Sequence, residues 1–320
     1  MSPRARTALI VAALAALAAV VVAGAAVLTA DEQGSVAATT VQPKPRKGAP
    51  PLELSLGIRD DTEARELRHA VQLYDAGRRA EAGRIFSRYD SLEAKLGAAF
   101  AAWPGTEDRI EQLGALYPRS ALVQLHVGLA RLWADTGDAG TAWREARDVQ
   151  PDTPYAVWAD DLIHPELAPG LPVFTPSFPY RVRGGTPAAQ LEALRADRSR
   201  RGLLIYGIAL QRLGRPVSAR RAFAHALRLA PNNVDALVAD AVGQYEKSDP
   251  AGAFGRLGPL TRRFPGSATV RFHLGVLLLW QSDVKAAKRQ LRLARAAEPG
   301  SRIAREANRY LQQLGKSGTG

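Results

Sequence analysis

The first feature in the pattern of hydrophobic and polar positions is an apolar run near the N-terminus, residues 8–30, which contains no charged side chain. About 20 apolar residues are enough to cross a bilayer as a helix. Two arginines precede the run and two acidic residues follow it, which places residues 1–7 in the cytoplasm and the rest of the chain outside. The alternative is a cleaved secretory signal with Ala23-Gly24-Ala25 as the cleavage site.

Behind this run, the pattern changes twice. Residues 31–51 are rich in Gly, Thr, Pro and Lys and predict a flexible, Pro-rich linker. From residue 52 onward, apolar positions recur every three to four residues, which is the period of helices packed on one side. The pattern is most regular after residue 200, where it repeats every 34 residues.

The 34-residue spacing is carried by prolines and by small residues. It holds for Pro231, Pro265 and Pro299, for Gly207, Ala241 and Gly275, and for Ala219, Ala253 and Ala287. Each period contains two apolar stretches separated by a polar break and ended by a proline, which stops a helix. Small residues in the middle of both stretches allow two antiparallel helices to approach closely. The spacing predicts helical hairpins over 200–233, 234–267 and 268–301.

This pattern of small residues, large residues and proline resembles the tetratricopeptide repeat, a helix–turn–helix unit of 34 residues. The resemblance implies an α-solenoid whose first helices line a groove for a protein or peptide. The copies depart from the family at its aromatic fourth position, which is Leu203, Leu237 and Arg271 here. The family's Lys/Asn pattern for holding a peptide carboxylate is also missing.

The other ranges complete an all-α fold. Residues 52–166 predict three degenerate repeats of the same kind, and residues 167–188 predict a Pro-rich loop. The repeat region then covers 189–301. Residues 302–314 predict a capping helix, because the last unit of a solenoid otherwise exposes its apolar face.

Composition and charge narrow the class of function. The chain has no cysteine, which excludes disulfides and thiol catalysis. The five histidines lack metal-binding spacing, and no nucleophile, phosphate-binding or dinucleotide motif occurs. We therefore expect no catalytic residue, cofactor or metal, and we expect the histidines at the surface or half-buried. Residues 52–166 hold 13 basic and 20 acidic residues, whereas residues 167–320 hold 25 and nine, so the net charge of +12 is unevenly distributed.

The resemblance implies partner contacts along the inner face of the first helices. Transferred to this sequence, these positions are Arg201, Leu204, Ile208, Gln211, Thr269, Phe272, Val276 and Leu279. An apolar or amphipathic segment would suit this lining. The alternative is that the capping helix itself covers Phe272 and Val276.

A basic patch is the second candidate site, because residues 178–230 contain 11 arginines and only two acidic residues. We assign to it Arg195, Arg198, Arg212, Arg215, Arg220 and Arg221. A basic face attracts acidic proteins, anionic lipids or cell-wall polymers. The alternative is that these arginines only form the water-exposed faces of their helices and bind no partner. Nucleic acid is not expected, since the repeats are predicted to be exported.

These patterns favour a bacterial, non-catalytic scaffold, anchored by one membrane helix, that binds protein partners on the extracytoplasmic side. One alternative is a secreted or surface protein that binds anionic lipid or cell-wall polymer through its Arg-rich C-terminal half. Another is an accessory domain of an enzyme complex. The sequence leaves the partner and the oligomeric state open.

Overall fold

The computed structural model describes residues 46–181 and 185–316, and within these ranges the regular structure is helical throughout. The helices form two compact units, one ending at Ile163 and the other beginning at His164. The predicted all-α fold of helical hairpins is therefore confirmed for the described residues. The predicted membrane helix, residues 8–30, lies outside them. No described helix is both long enough and apolar enough to span a bilayer.

Unit 1 contains three hairpins followed by a single helix. Its helices are α1 (Thr62–Asp75), α2 (Arg79–Phe86), α3 (Leu92–Ala101), α4 (Glu107–Leu116), α5 (Ala121–Ala134), α6 (Ala139–Val149) and α7 (Pro154–Ile163). Each helix packs on the next, and the first helices α1, α3 and α5 also pack on one another in order. This arrangement is a stack of hairpins, as predicted for the degenerate repeats of 52–166.

Unit 2 contains one helix, three hairpins and a last helix. Its helices are α8 (Pro187–Ala196), α9 (Arg200–Arg212), α10 (Pro216–Leu229), α11 (Val234–Gly243), α12 (Ala251–Arg263), α13 (Ala268–Trp280), α14 (Val284–Ala297) and α15 (Arg302–Lys316). The hairpins α9–α10, α11–α12 and α13–α14 fill the three predicted 34-residue periods. The last helix, α15, packs on both α13 and α14.

The small residues of the repeat permit close helix contact. A Cβ atom added to Gly207 of α9 would lie 2.2 Å from Cε1 of Phe223 in α10. At Gly275 of α13, it would lie 2.9 Å from Cγ of Leu291 in α14. The aromatic or aliphatic side chain of the second helix therefore occupies the space that a larger residue in the first helix would need.

Candidate functional site

Each unit holds a non-helical segment of its own chain against its first helices. We call residues 46–57 segment 1 and residues 168–179 segment 2. In segment 2, Pro172, Phe174 and Pro176 are buried, while the residues between them are only half-buried. Alternating burial of this kind is typical of an extended chain. The grooves that receive the two segments are called groove 1 and groove 2.

Segment 1 corrects one sequence prediction, and segment 2 adds to another. The flexible linker was predicted to extend to residue 51, but from Arg46 onward the chain is docked in groove 1, and Pro50 is buried. The range 167–188 was predicted to be a Pro-rich loop. Its described residues are non-helical up to Pro187, where α8 begins, and the docking of residues 168–179 in groove 2 was not predicted. Prolines prevent helix formation in both places. They do not prevent an extended chain from binding to helices through its main chain.

Segment 1 is bound through main-chain atoms along its length. The N–H of Arg46 donates to the carbonyl of Trp133 at 2.8 Å, near the end of α5. The hydroxyl of Tyr74 donates to the carbonyl of Pro50 at 2.5 Å. At the other end, the hydroxyl of Tyr155 at the start of α7 accepts from the N–H of Ser55 and donates to its carbonyl, both at 3.1 Å. Segment 1 therefore runs antiparallel to the first helices.

Segment 2 runs in the same direction through groove 2. The indole N–H of Trp280, at the end of α13, donates to the carbonyl of Gly170 at 3.1 Å. The Gln211 amide donates to the Pro172 carbonyl at 3.1 Å and accepts from the N–H of Phe174 at 2.9 Å.

The far end of segment 2 lies at the N-terminal ends of α11 and α15. The two carboxylate oxygens of Asp235 accept from the N–H and the hydroxyl of Ser177, at 3.0 Å and 2.6 Å. Arg302 donates to the carbonyls of Pro176 and Phe178, at 2.5 Å and 3.3 Å. Bonds directed at the main chain are largely independent of side-chain identity.

A buried histidine lies at the centre of each groove. Nε2 of His126 accepts the N–H of Glu53 at 3.2 Å, and Nε2 of His273 accepts the N–H of Thr175 at 2.9 Å. In both rings, Nδ1 lies 2.7 Å from the carbonyl oxygen of the residue four positions earlier. Because a carbonyl can only accept, Nδ1 carries the proton and Nε2 is the acceptor. Both rings are fully buried, and burial lowers the pKa of each histidine to about 4.

The two sites are internal copies of each other. His126, Gly128 and Trp133 of α5 lie 147 residues before His273, Gly275 and Trp280 of α13. The same offset relates Asp135 and Ser282, which follow these helices and both have a φ of 59°. Within the segments, an offset of 122 residues relates Gly48, Pro50 and Ser55 to Gly170, Pro172 and Ser177. The same arrangement of helix residues and bound segment therefore occurs once in each unit.

The copies are not identical, and two of their differences concern buried polar groups. Glu53 of segment 1 corresponds to Thr175 of segment 2, and burial, together with Asp75 and Asp161, raises the pKa of the Glu53 carboxyl to about 7. Trp280 donates its indole N–H to the segment, whereas within the described residues the buried indole N–H of Trp133 has no hydrogen-bond partner. The guanidinium carbon of Arg46 instead lies 5.1 Å from the centre of the Trp133 ring.

The residues predicted to line a partner-binding groove are divided between the core of unit 2 and groove 2. Leu204, Ile208, Phe272, Val276 and Leu279 are buried in the core of unit 2. Gln211 binds segment 2, and Arg201 donates to the carbonyl of Pro179 and stacks 4.6 Å from the centre of the Phe178 ring. The occupant is the chain's own segment, which the sequence did not predict. Binding of a partner by these residues stays a prediction.

The predicted basic patch is divided between the two ends of α9. Arg195 and Arg198 precede the helix, whereas Arg212 and Arg215 lie at its C-terminal end. The 13 residues of α9 span about 20 Å between these two ends. Arg220 is engaged internally, because it donates to the carbonyl of Gly243 at 3.1 Å and to Glu246 at 2.6 Å. In addition, Arg195 pairs with Glu192 at 2.7 Å. Arg198, Arg212 and Arg221 are exposed.

No protein-family model matches the sequence, and no curated protein matches it. Solved structures that align with the chain include YrrB, a TPR protein with an unusual peptide-binding site, at 14% identity over 76% of this chain and 90% of that one, with a TM-score of 0.28. Yeast Tom70 aligns at 12% identity over 84% and 66%, with a TM-score of 0.31. The APC/C hetero-tetramer Cut9–Hcn1 aligns at 14% identity over 79% and 55%, with a TM-score of 0.27. These TM-scores are low, and the hairpin repeat is assigned from the order and the packing of the helices in this chain.

The arrangement is suited to holding a polypeptide. Its polar groups point at main-chain N–H and carbonyl groups, and its apolar surface receives alternate side chains of the segment. No group of side chains that could hold a metal ion occurs among the described residues. Sequence reasoning missed His126 and His273, which were expected at the surface or half-buried. Their shared context, Ala-x-Val-x-Leu/Phe-His-x-Gly in α5 and α13, was the available signal.

Proposed function

We propose that the chain is a non-catalytic scaffold, anchored to a membrane by residues 8–30, which binds segments of protein partners on the extracytoplasmic side. The observation that carries this proposal is the recurrence of a groove that holds an extended polypeptide by its main chain. Two copies in one chain, each with a buried histidine bonded to the segment, indicate a surface adapted to polypeptide ligands.

The alternative, binding of anionic lipid or cell-wall polymer, is less well supported. It requires the arginines of unit 2 to act on one face, but they lie at both ends of α9, and Arg220 is bound to Gly243 and Glu246. An accessory domain of an enzyme complex would be one kind of scaffold, with the catalytic partner held in the same way.

Site-specific photo-cross-linking on the full chain in its native membrane tests the proposal. A photoreactive residue replaces Thr136, exposed beside Arg46 at groove 1, or Arg201, exposed beside Phe178 at groove 2, or Arg292, an exposed position on α14 used as the control. We expect protein adducts from the two groove positions and few from Arg292. No protein adduct at any position, with retention of the chain on anionic vesicles, would contradict the proposal. Loss of that retention in a chain with Arg198, Arg212 and Arg221 changed to glutamate would then support the lipid alternative.

A further inference from the structure

The two grooves receive the same pattern of residues although the segments differ at most positions. Gly48 and Gly170 have φ angles of 84° and 69°, which favour glycine. Two positions later, the carbonyls of Pro50 and Pro172 accept from the side chains of Tyr74 and Gln211. The donor residue differs between the grooves, but the accepting carbonyl is the same.

The next positions of the pattern also have physical reasons. A buried proline has no N–H that would need an acceptor, so Pro50 and Pro172 can enter the groove without leaving a donor unpaired. Leu52 and Phe174 are buried, and Phe174 stacks on the His273 ring with centres 5.1 Å apart.

The fifth and seventh positions after the glycine meet polar groups of the groove. The residue after the buried apolar one must keep its N–H, because that N–H donates to the central histidine. Two positions further, the N–H of Ser55 donates to Tyr155 and the N–H of Ser177 donates to Asp235. The shared pattern is Gly-x-Pro-x-apolar-X-x-Ser, in which X is any residue except proline.

We propose that grooves 1 and 2 are receptors of one specificity, for a polypeptide segment that carries this pattern, and that a partner binds by placing such a segment where the chain's own segment lies. This inference rests on the proposed function, since it names the class of segment that the scaffold recognises. The chain's own segments compete with a partner at an effective concentration of roughly millimolar. A partner segment therefore binds when the resident segment is weakened or released.

The test uses the full chain with Thr175→Pro, which removes the N–H that donates to His273 and leaves every groove residue unchanged. The probe is a fluorescent peptide of residues 166–181, and its binding is followed by anisotropy. We expect it to bind this variant at least about tenfold more tightly than the unaltered chain, where segment 2 competes. A control peptide that itself carries Thr175→Pro should bind about tenfold more weakly, because it leaves Nε2 of the buried histidine unpaired.

Competition by the other segment decides whether the specificity is shared. An unlabelled peptide of residues 46–57 should displace the probe from groove 2, although it comes from groove 1. If the probe binds and this peptide does not displace it, the inference is wrong. It is equally wrong if neither peptide binds to a variant whose circular dichroism and melting show a folded chain.

A second variant provides the same test if Thr175→Pro unfolds unit 2. Ser177→Ala removes only the hydroxyl bond to Asp235 and keeps all main-chain bonds, and the same titrations apply to it. The cross-linking experiment is independent of these measurements. Partner adducts without peptide binding would overturn this inference alone, whereas peptide binding without any partner adduct would overturn the proposed function.

Discussion

Nε2 of His273 accepts the main-chain N–H of Thr175 at 2.9 Å, across 98 residues of sequence. The other ring nitrogen donates to the carbonyl of Thr269, so a fully buried neutral imidazole has both of its polar atoms satisfied. Unit 1 repeats this relationship between His126 and Glu53. The bond connects a helix of the repeat to a segment without regular structure, and each unit contains one such bond.

Replacing the central histidine should destabilise its own unit. His273→Ala removes a buried ring and leaves the N–H of Thr175 without its acceptor, which we expect to lower the free energy of unfolding of unit 2 by about 2–4 kcal/mol. His126→Ala should act in the same way on unit 1. Hydrogen exchange of α13 and α5, followed by mass spectrometry, reports each unit separately. His225→Ala, at a half-buried position on α10, is the control and should cost less than about 1 kcal/mol. Equal effects of all three changes would contradict the role of the central histidines.

Acidification should destabilise unit 2. The folded pKa of His273 is about 4, below its ordinary value of 6.5, so the unfolded chain binds a proton between these values and the folded chain does not. The free energy of unfolding therefore falls as pH decreases from 6.5 to 4, by roughly 3 kcal/mol for this group. Urea unfolding of the native chain and of His273→Asn across this range, read by hydrogen exchange of α13, measures it. An equal pH dependence in both chains would exclude the histidine as its source.

Glu53 should oppose this effect in unit 1. Burial raises the pKa of its carboxyl from 4.5 to about 7, so the stability that it contributes at low pH is lost as pH rises between these values. Between pH 4.5 and 6.5 the contributions of His126 and Glu53 have opposite signs and offset each other. Glu53→Gln removes only one of them. We expect the variant to be more stable than the native chain above pH 7, by up to roughly 3 kcal/mol, and to become acid-sensitive in unit 1. Exchange of α5 amides against pH checks both expectations.

The small residues of the repeat should be intolerant of even one methyl group. Gly207→Ala places a Cβ atom 2.2 Å from the Phe223 ring, so we expect a loss of about 1–3 kcal/mol despite the higher helix propensity of alanine. Gly255→Ala, in α12, is the matched control because nothing lies within 4 Å of its added Cβ atom. It should stabilise the chain by about 0.5–1 kcal/mol. Thermal unfolding of both variants distinguishes packing from propensity.

The proposed membrane anchor, residues 8–30, is tested by fractionation and N-terminal sequencing. An uncleaved anchor predicts that the mature chain keeps residues 1–7 and stays in the membrane pellet after alkaline carbonate extraction. Deletion of residues 8–30 should move the chain to the supernatant. A mature N-terminus just after Ala25 would show instead that the segment is a cleaved signal.

The hairpins of unit 2 were predictable because their cause is local and periodic. Close packing of two helices requires a small residue at a fixed position of every unit, and Gly207, Ala241 and Gly275 show that requirement directly in the sequence. The prolines after the second helices also act locally, because each one ends the helix that precedes it. Unit 1 was predicted with less detail, because its glycines and alanines do not keep one spacing.

The sequence by itself determined which residues become helices and where neighbouring helices touch, since these follow from short-range periodicity. Only the tertiary structure decided what fills the grooves. The pairs Thr175–His273 and Glu53–His126 join residues 98 and 73 positions apart, and they use main-chain N–H groups that every non-proline residue possesses. A bond to such a group leaves little trace in residue type. The residue type of a histidine does not show whether it will be buried, and only the repeated context of His126 and His273 carried a signal.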